Sequence, residues 1–438
     1  MTGTATDRLS FSGWIDPPAD PSPALEGERR CDVAVIGGGL TGLAAALRLD
    51  ELGADVVLME SAFCGLGASS RNAGHLTPTI GGDPQLLATL FRRRAPELIR
   101  FADGAVHFTE GLIAERGIDC EYEPEGNVSA ALSDGQMKRA ESIAAFLAGC
   151  GGEVELVDGA EAGLPHCFRG GILERAGGVL NPGLFTRGLR AAVLGSGVTV
   201  HEQSAVEAVE DTGAGVVVRT GAGSISAGRA LLATNAYARD LPFAPPRVVA
   251  PLWVTLAETE PIAPGRLEDA GWTSTKGLYT QHVILESYRR TRRGTVVFGS
   301  RLPQTPRGVL GARVPDPGVV GDVVRGFHER FPSLRDVSAE RAWGGWIAMT
   351  PSWLPVAGEA GPGVFYALGY NGHGLAQAPY VGTLMADRLA GRPPHDDLAA
   401  IWRDVPRFAP APLFTTPALR LGWAIDRVSD RMIDRRPR

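Results

Sequence analysis

Lysine is almost absent from this 438-residue chain: Lys138 and Lys276 are the only two, and every other basic side chain is arginine. That skew reflects coding bias rather than a function. Positive charge is in deficit as well, with 43 Lys and Arg against 49 Asp and Glu and a net charge of −6. The balance excludes a nucleic-acid or anionic-membrane partner. Cysteine is scarce: Cys31, Cys64, Cys120, Cys150 and Cys167 are odd in number and show no CxxC spacing. A disulfide framework and a zinc site are thereby excluded, and a reducing, cytoplasmic compartment is expected. The eight histidines show neither HxH nor HExxH spacing, so no metal centre is expected. No apolar run approaches the roughly 20 residues of a membrane span. The opening MTGTATDRLS lacks the basic-then-apolar layout of a signal peptide. What remains, 44% hydrophobic and 21% charged residues, is the composition of a soluble globular protein. Its length predicts two structural domains.

Against those absences stands one dense signal, Cys31 to Glu60. The apolar run Val33 to Ile36 leads into Gly37-Gly38-Gly39-Leu40-Thr41-Gly42, which fits GxGxxG. A helical pattern runs from Leu43 to Leu52 and stops at Gly53; Val56 to Met59 then ends on Glu60. Strand, glycine turn, helix, strand and acid occur in the order of a dinucleotide-binding βαβ unit. Gly37 permits the tight turn, Gly39 lets backbone approach a pyrophosphate, and Gly42 lets helix and sheet pack closely. The helix start offers unpaired N–H groups and a positive dipole end to phosphates. Glu60 is placed to accept the ribose hydroxyls of an adenosine and to repel a 2′-phosphate.

The rest of the chain predicts a discontinuous arrangement. Residues 1–29 are proline-marked and read as an arm anchored by Trp14. Ser61 to Gly81 is rich in small residues, which implies close backbone approach to something flat or charged. Helical spacing follows over Pro84 to Arg116 and Gly135 to Ala148, with strands over Cys120 to Ala131. Asn181 starts a helix that Gly195 ends. Strands then run to Arg229–Tyr237, and from Pro251 the pattern is β, with a hairpin turn at Arg293-Gly294. The expected units are 30–112, 178–247 and 344–400 for a nucleotide domain, and 113–177 and 248–343 for a substrate domain. The tail, 401–438, places Leu421, Ile425, Val428 and Met432 on one helical face, expected to dock on the body or on a second subunit.

Several separated stretches together resemble the D-amino-acid-oxidase-type FAD oxidoreductases, in particular the γ-glutamylputrescine oxidase-like branch. They are Gly67 to Gly74 (GASSRNAG), Thr234 to Tyr237 (TNAY), Trp343-Gly344-Gly345 followed by Thr350 and Leu354-Pro355, and Gly369 to Gly374 (GYNGHG). The resemblance implies an α/β fold: a Rossmann-like FAD domain beside a substrate domain built on an antiparallel sheet with flanking helices. It implies that Ser61, Gly67, Ala68, Ser69, Arg71, Asn72, Ala73, Gly74 and His75 approach the cofactor, with the main chain of Val206 near the adenine. The resemblance further implies that the Gly372-His373-Gly374 turn, which opens a helix, would turn its N–H groups to the negative charge of a reduced flavin. His373 would add a donor there.

Departures from the family pattern sharpen the expectation. Neither a Cys near Gly345 nor a His at Arg71 is present, so the FAD is expected to be non-covalent. Ile347 stands where amino-acid-oxidising relatives carry a carboxylate-binding arginine. The expected reaction is therefore oxidation of a C–N bond in an amine or N-substituted amine, with oxygen as the expected acceptor. His373, Arg301 and Tyr370 are the candidate catalytic residues, Arg301 for an anionic substrate group. Arg289, Arg290, Arg292 and Arg293 are expected on a solvated face. Tyr237, Trp253, Tyr288, Trp346 and Tyr370 either wall the substrate pocket or belong to the core. An amino-acid oxidase or dehydrogenase of the same family, and a flavin-binding subunit of a heteromeric oxidoreductase, stay open as alternatives.

Overall fold

A computed structural model describes residues 12–80, 84–282, 284–299, 303–311 and 313–403, with Leu421, Ile425 and Val428. The expected βαβ unit forms as β1 (Gly27–Ile36), α1 (Leu40–Glu51) and β2 (Val56–Met59). A short β3 (His75–Leu76) precedes α2 (Pro84–Leu90) and α3 (Ala95–Glu115). Next come β4 (Asn127–Ala131), α4 (Asp134–Gly149), β5 (Val154–Asp158), β6 (Gly170–Glu174), β7 (Gly178–Val179) and α5 (Pro182–Leu194). The middle of the chain is mostly β: β8 (Thr199–His201), β9 (Val206–Asp211), β10 (Val216–Thr220), β11 (Gly223–Leu232) and β12 (Ala250–Thr259). After α6 (Pro264–Asp269) follow β13 (Gly277–Thr280), β14 (Ser287–Arg290) and β15 (Val296–Gly299). The described elements end with α7 (Pro317–Arg330), β16 (Ala339–Met349), β17 (Val356–Gly361), β18 (Val364–Leu368), α8 (Gly374–Leu389) and α9 (Asp396–Ile401).

These strands form two large sheets. The first runs β17-β18-β11-β1-β2-β8, with β10 and β9 continuing from β11. Its centre is parallel: β1 pairs with β2 and β11, and β11 with β18. A parallel strand covered on both faces needs apolar residues throughout, and all four residues of β2 are buried. Along β1 the alternation divides the layers. Val33 and Val35 join the helical core of α1, α3, α5 and α8, whereas Ala34 and Ile36 face the opposite core with Trp253 and Trp346.

The second sheet runs β16-β12-β15-β14-β13-β4-β6-β5 and is antiparallel except for β13 with β4. One face is covered by α7, where Phe327 stacks on Phe298 at 4.4 Å. The other face, with Leu256, Arg289, Val297 and Trp343, turns toward the loop after β2. Among the described residues no helix is long and apolar enough to cross a membrane.

Some boundaries differ from expectation. The strand expected from Cys120 begins only at Asn127. The one expected through Tyr237 stops at Leu232, and a 3₁₀ turn takes Asn235–Asp240. The WGGWIAM segment belongs to β16, because it pairs with β12 (Trp253 opposite Trp346). The chain thus re-enters the first sheet at Val356 rather than near residue 344, a long-range pairing that local pattern does not encode. Leu421, Ile425 and Val428 are exposed, so these three do not dock on the body. The remainder of the expected tail helix lies outside the described residues, as does Arg301.

Candidate active site

The turn after β1 is built by steric necessity. Gly37 has φ +110°, and a Cβ there would come 2.8 Å from Ala233 O. A Cβ on Gly42 would collide with Gly37 O, so only glycine lets α1 begin against its own turn. Gly39 is the N-cap of α1. It supplies no side-chain cap, and no acid lies in the first helical turn. Ser69 Oγ accepts from Leu40 N–H at 3.0 Å, which ties the helix start to the small-residue loop. The remaining orphan N–H groups and the dipole favour an anion. Glu60 lies beside them: Gly38 N–H donates to its Oε2 at 2.8 Å, and Ser61 Oγ–H and Ala62 N–H donate to Oε1. Burial pushes the Glu60 carboxyl up, against those donors. Ser204 N–H donates to Glu60 O at 2.8 Å, which brings Val206 and the start of β9 to this edge.

The loop Gly67–His75 is held tightly. The Asn72 amide donates to Ala68 O and Ser69 O and accepts from Gly74 N–H. Arg71 is buried, and its Nη1 donates to Gly344 O at 3.1 Å; desolvation lowers its pKa. A Cβ on Gly345 would stand 3.3 Å from Arg71 Cβ, so this loop and β16 pass at backbone distance. The Tyr237 ring lies 3.6 Å from the position a Cβ on Gly67 would take.

The GYNGHG turn approaches from the third side. Gly369, Asn371 and Gly372 all have positive φ. Asn371 closes the turn, its Oδ1 accepting from Thr350 N–H at 2.7 Å and its Nδ2 donating to Gly369 O. Ile347 Cδ1 lies 3.8 Å from where a Cβ on Gly372 would be. His373 is the N-cap of α8 without a capping side-chain bond, and burial pushes its imidazole down to about 4. Strand alternation puts Trp343, Gly345 and Ile347 on one side of β16. Arg71, Gly345, Ile347 and the Gly372-His373 turn therefore converge.

His75 occupies a different corner, on β3. Asn127 Nδ2 donates to Leu76 O and Gly178 O, which fixes Asn127 Oδ1 as an acceptor. His75 Nδ1, 3.0 Å from that oxygen, must carry the proton. His75 Nε2 is then a buried acceptor with no hydrogen-bond partner among the described residues. Desolvation pushes the imidazole down to about 4, so it is neutral at ordinary pH.

Other expected residues fall elsewhere. Tyr370 OH meets Thr41 Oγ1 at 2.7 Å inside the helical core, and burial pushes its pKa up. It joins two helix starts. Trp253 and Trp346 form a T-shaped pair at 5.2 Å on the opposite side of β16 from Ile347. Tyr288 is core, edge-on to Phe331 at 5.0 Å. The arginines of β14 and of the turn after it are no solvated face throughout: Arg289 is only 2% exposed and donates to Gly74 O and Leu180 O. Arg293 pairs with the buried Glu258 at 2.7 Å. Alternation on β14 turns Arg289 inward, and the hairpin signal outweighed that alternation in the sequence reading. The sequence reading also passed over Asn127 and Ser12, whose partners lie far away along the chain. Among the described residues no group of His, Cys, Asp and Glu could hold a metal ion.

Comparison with known proteins adds a third line. The sequence model of a family described as FAD dependent oxidoreductase matches residues 32–388. Gamma-glutamylputrescine oxidoreductase of Escherichia coli (strain K12) is 30% identical over 426 residues, spanning 94% of this chain and 96% of that protein. The crystal structure of glycine oxidase from Geobacillus kaustophilus superposes with TM-score 0.72 at 21% identity, covering 87% of this chain and 100% of that one. L-Amino acid deaminase from Proteus myxofaciens, in complex with anthranilate, matches with TM-score 0.72 at 17% identity over 90% and 96%.

Proposed function

Because this chain belongs to the FAD-dependent oxidoreductase family, we propose that it oxidises the C–N bond of an amine or N-substituted amine, with FAD held non-covalently. The observation that carries the amine preference is Ile347, an apolar side chain at the convergence of Arg71, Gly345 and the Gly372-His373 turn. A substrate carboxylate set against isoleucine without a partner costs several kcal/mol, whereas a neutral amine's alkyl groups do not.

The residues present fit the cofactor. Gly39 leaves room at a helix start that it does not cap itself, where a Cβ would meet Ser69 Oγ at 3.0 Å. The N–H groups of Gly39 and Thr41 would hold the pyrophosphate, the Glu60 carboxylate the ribose hydroxyls, and the Val206 main chain the adenine edge. Ser61 and the Gly67–His75 loop would line the cofactor further along, and the Gly372–Gly374 turn would meet the pyrimidine end of the ring. Bound flavin supplies a two-electron acceptor for the hydride leaving the substrate α-carbon. The resulting imine is hydrolysed by water to a carbonyl product and an amine or ammonia. Around that step the protein's part is to orient and to exclude water. Gly345 leaves space at the β16 wall, Ile347 presents an apolar surface, and neutral His373 donates or accepts without carrying charge. Reoxidation by oxygen is part of the same reading, and five unpaired cysteines fit a cytoplasmic location.

The rival donor, an α-amino acid, is favoured by one observation: Arg71 is a buried cation beside Gly345. Anaerobic reduction of the flavin by matched amine and α-amino-acid pairs separates the two. Amines are expected to bleach the flavin faster. Faster bleaching by the amino acids, abolished in Arg71→Ala, would overturn the amine reading.

A further inference from the structure

The arm before β1 makes contacts that no reading of the cofactor site uses. Three consecutive carbonyls of the loop after β2 are each capped from outside the loop. Ser12 Oγ–H donates to Ser70 O at 2.9 Å, Trp343 Nε1–H to Arg71 O at 3.0 Å, and Trp14 Nε1–H to Asn72 O at 2.9 Å. Two of the three donors belong to the arm. The Trp14 ring packs edge-on against Trp343 at 5.7 Å, with the Arg289 and Arg293 guanidinium groups over it at 4.9 and 5.3 Å.

The path of the arm is built in on both sides. A Cβ on Gly13 would collide with the Trp343 ring, and one on Gly183 of α5 would come 2.7 Å from Trp14 Cβ. Further along, Ser22 N–H and Leu25 N–H donate to Glu202 Oε2 and Ser204 Oγ. Glu202 is buried, is paired with Arg190, and accepts from Cys64 N–H at 2.7 Å through Oε1. Cys64 in turn lies against Gly38, whose Cβ would come 2.5 Å from its Sγ. The arm is therefore fastened at one end to residues 70–72 and at the other, through Glu202, to the segment packed on the glycine turn.

We propose that the N-terminal arm is part of the FAD site, with Trp14 and Ser12 as positioning residues that hold the carbonyl edge of the 70–72 loop. With its carbonyls fixed on the outer side, the loop keeps Arg71 and Ser69 in place for the cofactor. Neither arm residue touches FAD in this reading. It rests on the assignment of the Gly67–His75 loop to the cofactor.

The test compares holoenzyme variants Trp14→Phe, Ser12→Ala and Asn72→Ala by FAD dissociation on dilution, by visible circular dichroism of bound flavin, and by far-ultraviolet melting at saturating FAD. Trp14→Phe removes one donor and keeps a ring in place, so folding is preserved. It is expected to weaken FAD binding roughly 3- to 10-fold, the range for loss of one buried hydrogen bond. The flavin dichroism should change while the melting midpoint at saturating FAD stays near wild type, with a smaller effect in Ser12→Ala. Unchanged FAD affinity in Trp14→Phe overturns the proposal, and so does a loss of affinity that only follows a lowered melting midpoint. Asn72→Ala tells which premise failed: if it too leaves FAD affinity intact, the loop assignment is wrong; if it weakens binding, the arm alone is at fault.

Discussion

At the scale of single residues, the glycines of the first turn divide into two kinds. Gly42 is required by the fold, since any side chain there collides with Gly37 O, whereas a Cβ on Gly39 would meet only Ser69 Oγ at 3.0 Å. Gly42→Val is therefore expected to give little soluble protein. Gly39→Val should yield a folded protein with a normal far-ultraviolet spectrum and no retained flavin, because the added side chain fills the space a pyrophosphate needs. Full flavin content in a folded Gly39→Val would remove the phosphate role from this turn. Gly42 was legible because its steric partner is close in sequence: Gly37 O lies five positions back, a spacing that can be read. Arg289 was not. Its inward direction depends on the register of β14 with β15, where Arg289 stands opposite Val297. Nor did sequence show that Glu60 holds Gly38 N–H, which makes the acid part of the turn as well as a partner for ribose.

At the scale of elements, α1 and α8 are the pair on which both ends of the cofactor reading depend. They cross where Gly382 passes Thr41, so closely that a Cβ on Gly382 would collide with Thr41 O. Above that crossing, Thr41 Oγ1 and Tyr370 OH meet at 2.7 Å, so the two helix starts share a buried hydrogen bond. Tyr370→Phe should cost about 1 kcal/mol in a denaturant titration, the net worth of one such bond plus an orphaned hydroxyl. Gly382→Leu should cost more, about 1–3 kcal/mol from overpacking, and should release flavin by spreading the helix starts. If Gly382→Leu matched wild type in both respects, the crossing would not set the site. The two helices were each readable from apolar spacing and glycine punctuation. Their crossing was not, because no local pattern records which glycine faces which backbone. Pairing of β16 with β12 escaped for the same reason, and with it the fact that Trp343 and Trp346 point to opposite sides.

At the scale of the whole molecule, folding alters the charge state of several groups. His75 and His373 are both pushed by burial from their ordinary value near 6.5 down to about 4. Between those values the unfolded chain binds protons that the native protein refuses. Stability contributed by the neutral imidazoles is thus complete above pH 6.5 and is lost as pH falls toward 4. Asp103 acts in the opposite sense. Burial pushes its carboxyl up to about 6, so the native protein takes up a proton before the unfolded chain does, and acidification from pH 6 to 4 favours the fold at that one site. With two histidines set against Asp103 and the Glu60 carboxyl, which burial also pushes up, the flavin-free protein should lose stability between pH 6.5 and 4.5. The loss should be smaller in His75→Gln and in His373→Asn, and larger in Asp103→Asn. Urea titrations at the two pH values measure this directly, and comparing each variant with wild type cancels the groups common to both. If His373→Asn loses as much stability on acidification as wild type, His373 is not held neutral by its surroundings. The turn at Gly372 would then be open enough for solvent to reach the imidazole, and its part as an uncharged donor or acceptor at the flavin would fall.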